Sequence, residues 1–372
     1  MATVRFSQRA SCDAYHGGHS EAMKFFFPAG PNIPAMDESS ATAGISLVTG
    51  AGGFVGGHLV AGLLREGRAV RAVDRRPLAD WQQLHDDAEN RIADLSLPEE
   101  CREAVAGVAG VYNLAADMGG MGFIEANKAR CMLSVLINTQ MLIAAREAAV
   151  ERFFFSSSAC VYPLGRQASP QVTALRESDA YPALPEDGYG WEKLFGERLC
   201  RHFREDFGLE TRVARYHNVY GPRAAWTGGR EKAPAAICRK VAEAKLTGSG
   251  AIEIWGDGHQ TRSFTYIDDC VEGTLRIAAG DAVEPLNLGS SELVSIDELV
   301  SLVEEAAGVE LERRYDPSAP QGVRGRNSDN TLIREAFGWE PSIPLREGIA
   351  ATYSWVAEQV ERQLAAGRAA GA

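Results

Sequence analysis

The stretch Ile45-Ser-Leu-Val-Thr-Gly50-Ala-Gly-Gly53-Phe-Val-Gly56-Gly-His-Leu-Val decides the fold. A short apolar strand leads into a turn with three spaced glycines, and the start of an amphipathic helix follows. Glycines at these positions let the backbone turn tightly and approach a pyrophosphate at the amino terminus of the helix. Because the required strand and helix flank the turn, the motif predicts a dinucleotide site. The residues expected to contact the dinucleotide here are Gly50, Gly53, Phe54, Val55 and Gly56.

Two acidic residues follow the next two predicted strands. Asp74 ends the strand at residues 69–73, where a carboxylate can accept both hydroxyls of a ribose and repel a 2′-phosphate. Arg75 and Arg76 come next and could bind that phosphate instead, but the position of the acid favours NAD over NADP. Asp94 ends a third predicted strand, where it could meet the adenine edge or cap the next helix.

Strands and helices alternate along the chain as far as Tyr216. A fourth predicted strand, residues 111–116, precedes the glycine-rich segment 117–123, and a long helix is expected to run from there to about Val150. This alternation predicts an α/β fold with a Rossmann-type, doubly wound parallel sheet. Prolines and glycines break the chain after Tyr216, which suits a smaller second domain that closes over the carboxyl edge of the sheet.

The same pattern predicts where the domains begin and end. We expect a disordered N-terminal extension at 1–43 and a flexible tail at 363–372. The NAD-binding Rossmann domain is expected at 44–217, with a returning segment at about 263–292. A smaller α/β C-terminal substrate-binding domain is expected from 218–262 and 293–362.

Composition and charge limit the classes of protein that fit. The chain has 372 residues, of which 24% are charged and 45% hydrophobic, as in ordinary globular proteins. A net charge of -12 argues against a nucleic-acid surface or a polybasic membrane contact. The seven scattered cysteines include no Cys-x-x-Cys pair, which favours free thiols in a reducing cytoplasm over a disulfide framework or a metal site. No apolar run approaches the roughly 20 residues needed to span a bilayer.

A strand rich in phenylalanine and serine leads to the candidate catalytic residues. Its sequence, Phe153-Phe-Phe-Ser-Ser-Ser158, would deliver hydroxyls to the carboxyl edge of the sheet, where open α/β sheets bind ligands. Tyr189 and Lys193 are four residues apart, so on a helix they share one face and the ammonium can lower the pKa of the phenol. With Ser158 they could take a proton from a carbinol while a hydride leaves its carbon. The alternative is a core strand with a tyrosine that merely packs.

The order of these motifs resembles that of a known superfamily. With the glycine turn, Asn113-Leu-Ala-Ala, Ser156-Ser-Ser and the Tyr189/Lys193 pair, the chain resembles the extended short-chain dehydrogenases/reductases that act on nucleotide sugars. Seven longer segments resemble the GDP-mannose 3,5-epimerase family, and the resemblance runs from about residue 44 to 360. These segments are 117–123, 157–163, 217–222, 228–236, 255–258, 260–264 and 322–330.

The resemblance implies a reaction and a set of roles. Enzymes of that family hold NAD tightly, oxidise the sugar at carbon 4, epimerise neighbouring carbons through the ketone and reduce the ketone again. The ketone acidifies the protons on carbons 3 and 5, and inversion needs an acid and a base on opposite faces of the ring. By resemblance, Cys160 and Lys232 are that pair. Tyr189 would be the base for the oxidation, Lys193 would hold the nicotinamide ribose, and Ser158 would orient the substrate hydroxyl.

Cys160 and Lys232 would each have an ordinary structural interpretation without the resemblance. In a strand-like backbone Cys160 would point the same way as Ser158, but a cysteine there is more often a small buried hydrophobe. Lys232 would otherwise be a solvated loop lysine, whose pKa falls if a ligand desolvates it. The residues expected to hold the GDP-sugar by resemblance are Gly119, Ala159, Cys160, Val161, Asn218, Glu231, Lys232, Ala233, Lys240, Gln260, Thr261, Arg262 and Arg326.

Arginines near the carboxyl end also favour an anionic substrate. In a chain this acidic, Arg324 and Arg326 are easier to explain as part of a pocket than as surface charges, because a guanidinium forms strong forked hydrogen bonds with a diphosphate. Trp191 and the loop at 164–180 depart from the family pattern. They leave open a GDP-sugar other than mannose, such as a GDP-heptose, because discrimination by one carbon needs only small changes in a pocket.

The leading hypothesis is therefore a cytoplasmic, NAD-dependent epimerase that converts GDP-mannose to GDP-L-galactose and GDP-L-gulose. The resemblance also implies a homodimer. A simple 4-epimerase would not need Cys160 or Lys232, and a dehydratase usually wants a carboxylate near Ser158. A dinucleotide-sensing protein without catalysis is a further alternative, since fold alone does not fix function. Such a protein need not keep Ser158, Tyr189 and Lys193 together.

Overall fold

The computed structural model describes residues 44–370, where strands and helices alternate as far as Tyr216 and less regularly after it. The expected disordered arm, residues 1–43, and the last two residues of the expected tail lie outside this range. The strands are β1 (Ile45–Thr49), β2 (Val70–Asp74), β3 (Glu89–Ile92), β4 (Val108–Asn113), β5 (Arg152–Ser158), β6 (Thr211–Tyr216), β7 (Val219–Tyr220), β8 (Ala251–Trp255), β9 (Thr261–Ser263), β10 (Thr265–Tyr266), β11 (Leu286–Leu288), β12 (Leu293–Ser295), β13 (Glu312–Asp316) and β14 (Gly325–Arg326). The helices are α1 (Phe54–Arg65), α2 (Pro98–Val105), α3 (Met121–Ala126), α4 (Lys128–Met132), α5 (Ser134–Glu147), α6 (Tyr189–Phe207), α7 (Ala233–Thr247), α8 (Ile267–Ala279), α9 (Ile296–Ala307), α10 (Thr331–Phe337) and α11 (Leu345–Ala370).

The main sheet of the described chain is parallel and doubly wound. Its strand order is β11-β6-β5-β4-β1-β2-β3, and every neighbouring pair runs parallel. The chain moves outward from β1 to β3, crosses back to β4 beside β1, and then moves outward the other way. The order therefore reverses between β1 and β4, where sheets of this kind bind their ligands at the carboxyl ends of the strands. The fold class predicted from the sequence is confirmed.

Helices cover both faces of the main sheet. One hydrophobic core contains residues of α1 and α8, and a second contains residues of α2, α5 and α6. Strand β5 supplies both cores, because side chains alternate along a strand. Phe154 packs into the first core, whereas Phe153 and Phe155 pack into the second. This two-sided burial explains the continuous apolar run in β5.

A third core lies among helices α7, α9 and α11 and strand β8, and it contains the buried side chains of Val241, Leu299 and Val356. Strand β8 pairs with β13, and β12, β9 and β14 form a small mixed sheet. Helix α8 and strand β11 belong to the segment expected to return to the Rossmann domain. Helix α8 packs in the first core, and β11 pairs with β6 in the main sheet. The described residues pack as one compact unit, so the division into two domains stays a proposal.

Two helical segments differ from the sequence-based expectation. The long helix expected before Val150 is divided into α3, α4 and α5. The first break lies at Asn127, whose side-chain amide donates to the Phe123 carbonyl oxygen at 2.9 Å and competes with the helical pattern. Helix α11 continues through Ala370, so most of the expected flexible tail is helical. Alanine is the strongest helix former, and residues 363–370 contain four alanines.

Residues 44–370 contain neither a membrane-spanning helix nor a cluster of metal-ligating side chains. No helix between residues 44 and 370 is long and apolar enough to cross a membrane. Within the same residues, no group of three or more histidine, cysteine or acidic side chains could hold a metal ion. The six cysteines in this range are buried and free.

Candidate active site

The glycine turn after β1 forms a cradle that only glycine can build. Gly50 has a φ of +69°, in the left-handed region that glycine adopts without strain. A Cβ on Gly56 would overlap the carbonyl oxygen of Gly50. Helix α1 begins at Phe54, directly after this turn, so its first amide groups face the crevice. Backbone approach and a helix amino terminus together fit the pyrophosphate of a dinucleotide.

A cavity of about 550 Å³ lies over this turn. Its lining includes every residue that the sequence predicted for the adenosine and pyrophosphate part of the cofactor, namely Gly50, Gly53, Phe54, Val55, Gly56, Asp74 and Asp94. Asp94 accepts hydrogen bonds from the amide and the hydroxyl of Ser96, at 3.0 and 2.8 Å. It does not cap α2, since Leu97 precedes that helix without a side-chain cap.

The arginines beside Asp74 are both engaged with carboxylates. Arg76 binds Asp74 with two hydrogen bonds, from Nε at 3.0 Å and from Nη2 at 2.8 Å. The hydrogen bond to Asp74 raises the pKa of Arg76. Arg75 instead donates to Asp117 at 2.9 Å. A 2′-phosphate would have to compete with these ion pairs, so the geometry favours NAD.

A second cavity of about 360 Å³ adjoins the first and shares Gly119 and Lys232 with it. It is within the size range of small-molecule sites. All five predicted catalytic residues line it, namely Ser158, Cys160, Tyr189, Lys193 and Lys232. The predicted substrate residues that line it are Gly119, Cys160, Asn218, Glu231, Lys232, Ala233, Lys240, Gln260, Arg262 and Arg326.

Four predicted pocket residues lie elsewhere. The side chains of Ala159 and Val161 are enclosed in a small core cluster, because the backbone turns there and directs them inward. The Thr261 hydroxyl donates to the carbonyl oxygen of Pro170 at 2.6 Å. Arg324 pairs with Asp257 outside the cavity. None of these four side chains is part of the cavity lining, and a role of Ala159, Val161 and Thr261 in binding the substrate stays a prediction.

Tyr189 and Lys193 lie one turn apart on α6, and both are almost fully buried. The Lys193 Nζ lies 4.8 Å from the centroid of the Phe155 ring and 5.5 Å from that of the Tyr189 ring. Burial raises the pKa of Tyr189, and a hydrogen bond with Ser158 opposes that rise. The pKa of Tyr189 is therefore raised and not lowered as the sequence predicted, because desolvation of the phenol dominates. The Lys193 ammonium also lies 3.7 Å from a carboxylate oxygen of Glu192.

Cys160 lies in a 3₁₀ turn, Ala159–Val161, that follows β5. The strand-like backbone assumed from the sequence is therefore wrong, although Ser158 and Cys160 do line the same cavity. The Ser158 hydroxyl accepts a hydrogen bond from the Cys160 amide at 3.2 Å. Burial raises the pKa of the Cys160 thiol to about 11; Glu186 adds to the rise and Arg326 opposes it.

Lys232 precedes α7 and lies at the junction of the two cavities. Desolvation lowers its pKa, and the interaction with Cys160 opposes that change. Lys232 and Cys160 line the same cavity. Gly120 packs so closely on the carbonyl of Glu231 that a Cβ on Gly120 would overlap it. This contact places the backbone before Lys232 against the glycine-rich segment after β4.

Arg262 is a cation that no carboxylate in the described chain pairs with. Its guanidinium donates to the carbonyl oxygens of Thr261, Gln321 and Val323, at 2.7, 3.2 and 2.5 Å. Burial and the nearby Arg326 lower its pKa to about 9. Such a cation in a cavity wall is suited to an anionic ligand such as a diphosphate.

Two other polar residues of this cavity wall have capacity for a ligand. The Gln260 amide donates to the Trp255 carbonyl oxygen at 2.8 Å, while its own Oε1 is buried without a hydrogen-bond partner in the described chain. Lys240 donates to the Glu253 carbonyl oxygen at 2.8 Å and retains two further N–H donors. These groups can bind both donors and acceptors of a nucleotide sugar.

Asp117 is a candidate positioning residue that the sequence analysis missed. It accepts hydrogen bonds from Arg75, Arg130 and Arg230 at 2.9, 2.5 and 2.9 Å. These arginines come from the end of β2, from α4 and from the segment before Lys232. Asp117 thus links the wall of the dinucleotide cavity to the Lys232 segment. The sequence signal was an acid directly after β4 in a glycine-rich segment.

The fold and these residues are those of a dinucleotide-dependent enzyme. Comparison with known proteins identifies its family. The chain belongs to the NAD dependent epimerase/dehydratase family, which matches residues 46–289. It is 47% identical over 327 residues to GDP-mannose 3,5-epimerase from Arabidopsis thaliana, across 86% of this chain and 84% of the plant protein. It is 48% identical over 323 residues to GDP-mannose 3,5-epimerase 1 from Oryza sativa subsp. japonica, across 85% of this chain and 82% of that protein.

A solved structure of the same class contains the cofactor. UDP-glucuronic acid 4-epimerase from Bacillus cereus, in complex with UDP-glucuronic acid and NAD, superposes with a TM-score of 0.72 at 26% identity. The match covers 85% of this chain and 99% of that chain. Together with the family assignment and the glycine cradle, this comparison identifies the cofactor of the present protein as NAD.

Proposed function

We propose that the protein epimerises GDP-mannose at carbons 3 and 5 and forms GDP-L-galactose and GDP-L-gulose. The observation that carries the proposal is that Cys160 and Lys232 line one cavity together with Ser158, Tyr189 and Lys193. A 4-epimerase needs the last three residues but no further acid and base. The similarity to two plant GDP-mannose 3,5-epimerases, at 47% and 48% identity, supports the same assignment.

The first step is oxidation of the carbon-4 hydroxyl. When bound, NAD supplies the hydride acceptor and later returns the hydride. Tyr189 takes the hydroxyl proton, and Ser158 holds that hydroxyl through a hydrogen bond. Because burial raises the pKa of Tyr189, the tyrosinate needs a nearby positive charge, and Lys193, whose Nζ lies 5.5 Å from the ring centroid, supplies one.

The second step is inversion next to the ketone. Cys160 and Lys232 exchange protons with carbons 3 and 5 from opposite faces of the ring. The lowered pKa of Lys232 brings its neutral form closer to physiological pH, where an amine can accept a proton. Arg262, Lys240 and Gln260 bind the GDP part of the substrate, with Arg262 directed to the diphosphate.

Incubation of the purified protein with GDP-mannose in deuterated water, without added NAD, tests this function. We expect NMR to show deuterium at carbons 3 and 5 and the appearance of both products, because the enzyme retains its cofactor. Absence of exchange even with NAD supplied would reject GDP-mannose as the substrate. Exchange with a GDP-heptose under the same conditions would then redirect the proposal to that sugar, whereas retention of NAD without any exchange would favour a sensing protein.

We also propose that the protein is a homodimer formed through α5 and α6. These two helices pack side by side, and apolar side chains around their amino-terminal halves are exposed. They are Leu133 at 61%, Leu136 at 45%, Trp191 at 42% and Phe195 at 49%. Contiguous exposed apolar side chains usually mark an interface, and a second copy covers the same patch in a twofold dimer.

Phe195→Glu is expected to convert the dimer into a monomer, because it would bury a carboxylate in that interface. Size-exclusion chromatography with light scattering measures the mass at micromolar concentration. Leu332→Glu is the matched control, since Leu332 is 42% exposed on α10 and should leave the dimer intact. A wild-type protein with the mass of one chain, or a dimeric Phe195→Glu variant, would contradict the proposal.

A cytoplasmic location is part of the same proposal. The six cysteines of the described chain are buried and unpaired, as expected where thiols stay reduced. Nucleotide-sugar metabolism through a retained NAD is compatible with that compartment. Fractionation of the native cell, with the activity followed by the NMR assay, checks it.

A further inference from the structure

Glu186 is a buried carboxylate that the proposed reaction does not use. Its exposed fraction is 5%, and it lies in the loop before α6, behind the cavity wall. One oxygen, Oε1, pairs with Nη2 of Arg326, and the other is buried without a hydrogen-bond partner in the described chain. The Glu186 amide donates to the Cys160 carbonyl oxygen at 3.0 Å. The loop that carries Glu186 is thus fixed to the turn that carries Cys160.

Three groups hold the Arg326 guanidinium. Its Nε donates to Oε1 of Gln167 at 2.6 Å, its Nη2 pairs with Glu186, and its Nη1 lies 3.7 Å from the sulfur of Cys160. A planar guanidinium bound on several sides has little freedom to move. Glu186 and Gln167 together therefore fix the Arg326 charge beside the Cys160 sulfur.

The charges around Cys160 come from several elements. The groups that interact with it are Glu186, Arg326 on β14, Arg262 on β9, Lys232 before α7 and Tyr189 at the start of α6, together with the Ser158 hydroxyl. Three of these groups are bases whose cationic forms favour a thiolate. Glu186 is the carboxylate that opposes them.

We propose that Glu186 is a positioning residue whose carboxylate fixes Arg326 beside the Cys160 sulfur and offsets the charge that Arg326 brings there, so that Cys160 serves as a proton donor to the sugar. The proposal rests on the proposed function for the role of Cys160, but not for the titration of its thiol. When Cys160 donates its proton to the sugar carbon, an S–H bond breaks and a C–H bond forms. The resulting thiolate is left beside Arg326, and the reverse step returns the proton to sulfur.

Glu186→Gln tests the proposal, because glutamine keeps the shape and removes the charge. The experiment follows the alkylation rate of the holoenzyme by iodoacetamide as a function of pH, with Cys160→Ala as the background. Mass spectrometry assigns the label to Cys160. We expect the pH midpoint of Cys160 alkylation to be lower in Glu186→Gln than in the wild type by about one pH unit or more, which raises the alkylation rate at neutral pH by roughly tenfold. Glu205→Gln, on the exposed part of α6, should leave the midpoint unchanged.

Several outcomes separate a charge effect from a structural one. Glu186→Asp retains the charge and is expected to restore most of the wild-type midpoint. An unchanged midpoint in Glu186→Gln would overturn the proposal. A wild-type midpoint below the pKa of an ordinary thiol, roughly 8.5, would also overturn the proposal. This measurement does not depend on whether Glu186→Gln folds. The pH dependence of kcat/KM for GDP-mannose should shift in the same direction as the alkylation.

The same experiment distinguishes failure of this proposal from failure of the proposed function. A fall in the midpoint in a protein that does not turn over GDP-mannose would support the role of Glu186 and reject the substrate. Normal turnover of GDP-mannose with an unchanged midpoint would support the function and reject the role of Glu186.

Discussion

Lys232→Met is expected to abolish deuterium incorporation at carbons 3 and 5 of GDP-mannose while oxidation at carbon 4 continues. Methionine has nearly the length of lysine but cannot accept or donate a proton at neutral pH. Loss of a positioned acid or base typically costs about 10²–10⁴ in rate. NMR in deuterated water measures the exchange, and the absorbance of reduced nicotinamide in the holoenzyme measures the oxidation. Cys160→Ala should abolish formation of the inverted products, because inversion needs both members of the pair.

Lys245→Met is the matched control for Lys232→Met. Lys245 lies on α7, the helix that Lys232 precedes, but its ammonium donates to the Ala307 carbonyl oxygen away from the cavity. We expect exchange at the wild-type rate. Persistent exchange in Lys232→Met would mean that another group carries the proton. Loss of both exchange and oxidation would instead show that the Lys232 segment is needed for binding. Measuring whether the variant still retains GDP-mannose would test this.

The dinucleotide site was predictable from the sequence because each of its residues occupies a fixed place relative to a strand. Gly50 and Gly56 follow β1, Asp74 ends β2, and Asp94 follows β3. The carboxyl ends of parallel strands meet at one edge of the sheet, so residues that follow different strands come together without knowledge of the tertiary contacts. The structure finds all of them in the lining of one cavity.

Other features of the site depended on contacts that no local pattern encodes. The ion pair of Glu186 and Arg326 joins residues 140 positions apart, and that of Asp117 and Arg230 joins residues 113 positions apart. The pKa of Tyr189 was also mispredicted, because spacing on a helix reports which charge lies nearby but not how deeply the phenol is buried.

Some of the substrate residues predicted from the resemblance reach the cavity, and others face the core. Arg262 and Gln260 reach the cavity with groups that no side chain among residues 44–370 satisfies, which fits a role in binding. Ala159 and Val161 share the same motif as Cys160, but the 3₁₀ turn directs their side chains into the core. A motif match therefore located the segment, and only the backbone conformation decided which of its side chains face the ligand.

Glu197→Gln is expected to destabilise the protein by about 3–5 kcal/mol, because it leaves the Arg215 charge buried without its partner. Arg215 and Glu197 are 2% and 4% exposed and form two hydrogen bonds at 2.9 and 2.7 Å. Glu197 also accepts from the Ser157 hydroxyl at 2.5 Å, directly beneath the catalytic edge of β5. Total stabilities are typically about 5–15 kcal/mol, so urea unfolding followed by circular dichroism should show a large shift of the midpoint.

Two further variants decide whether the buried charge is the cause. Glu205→Gln removes an exposed partner of Arg201 on the same helix and should have little measurable effect. Glu197→Leu combined with Arg215→Met removes both charges and should be less destabilising than Glu197→Gln alone, since no unpaired charge remains in the core. A double variant as unstable as the single one would instead show that losing the hydrogen bonds from Arg215 to Tyr162 and to the Glu177 carbonyl oxygen costs as much as leaving the charge unpaired.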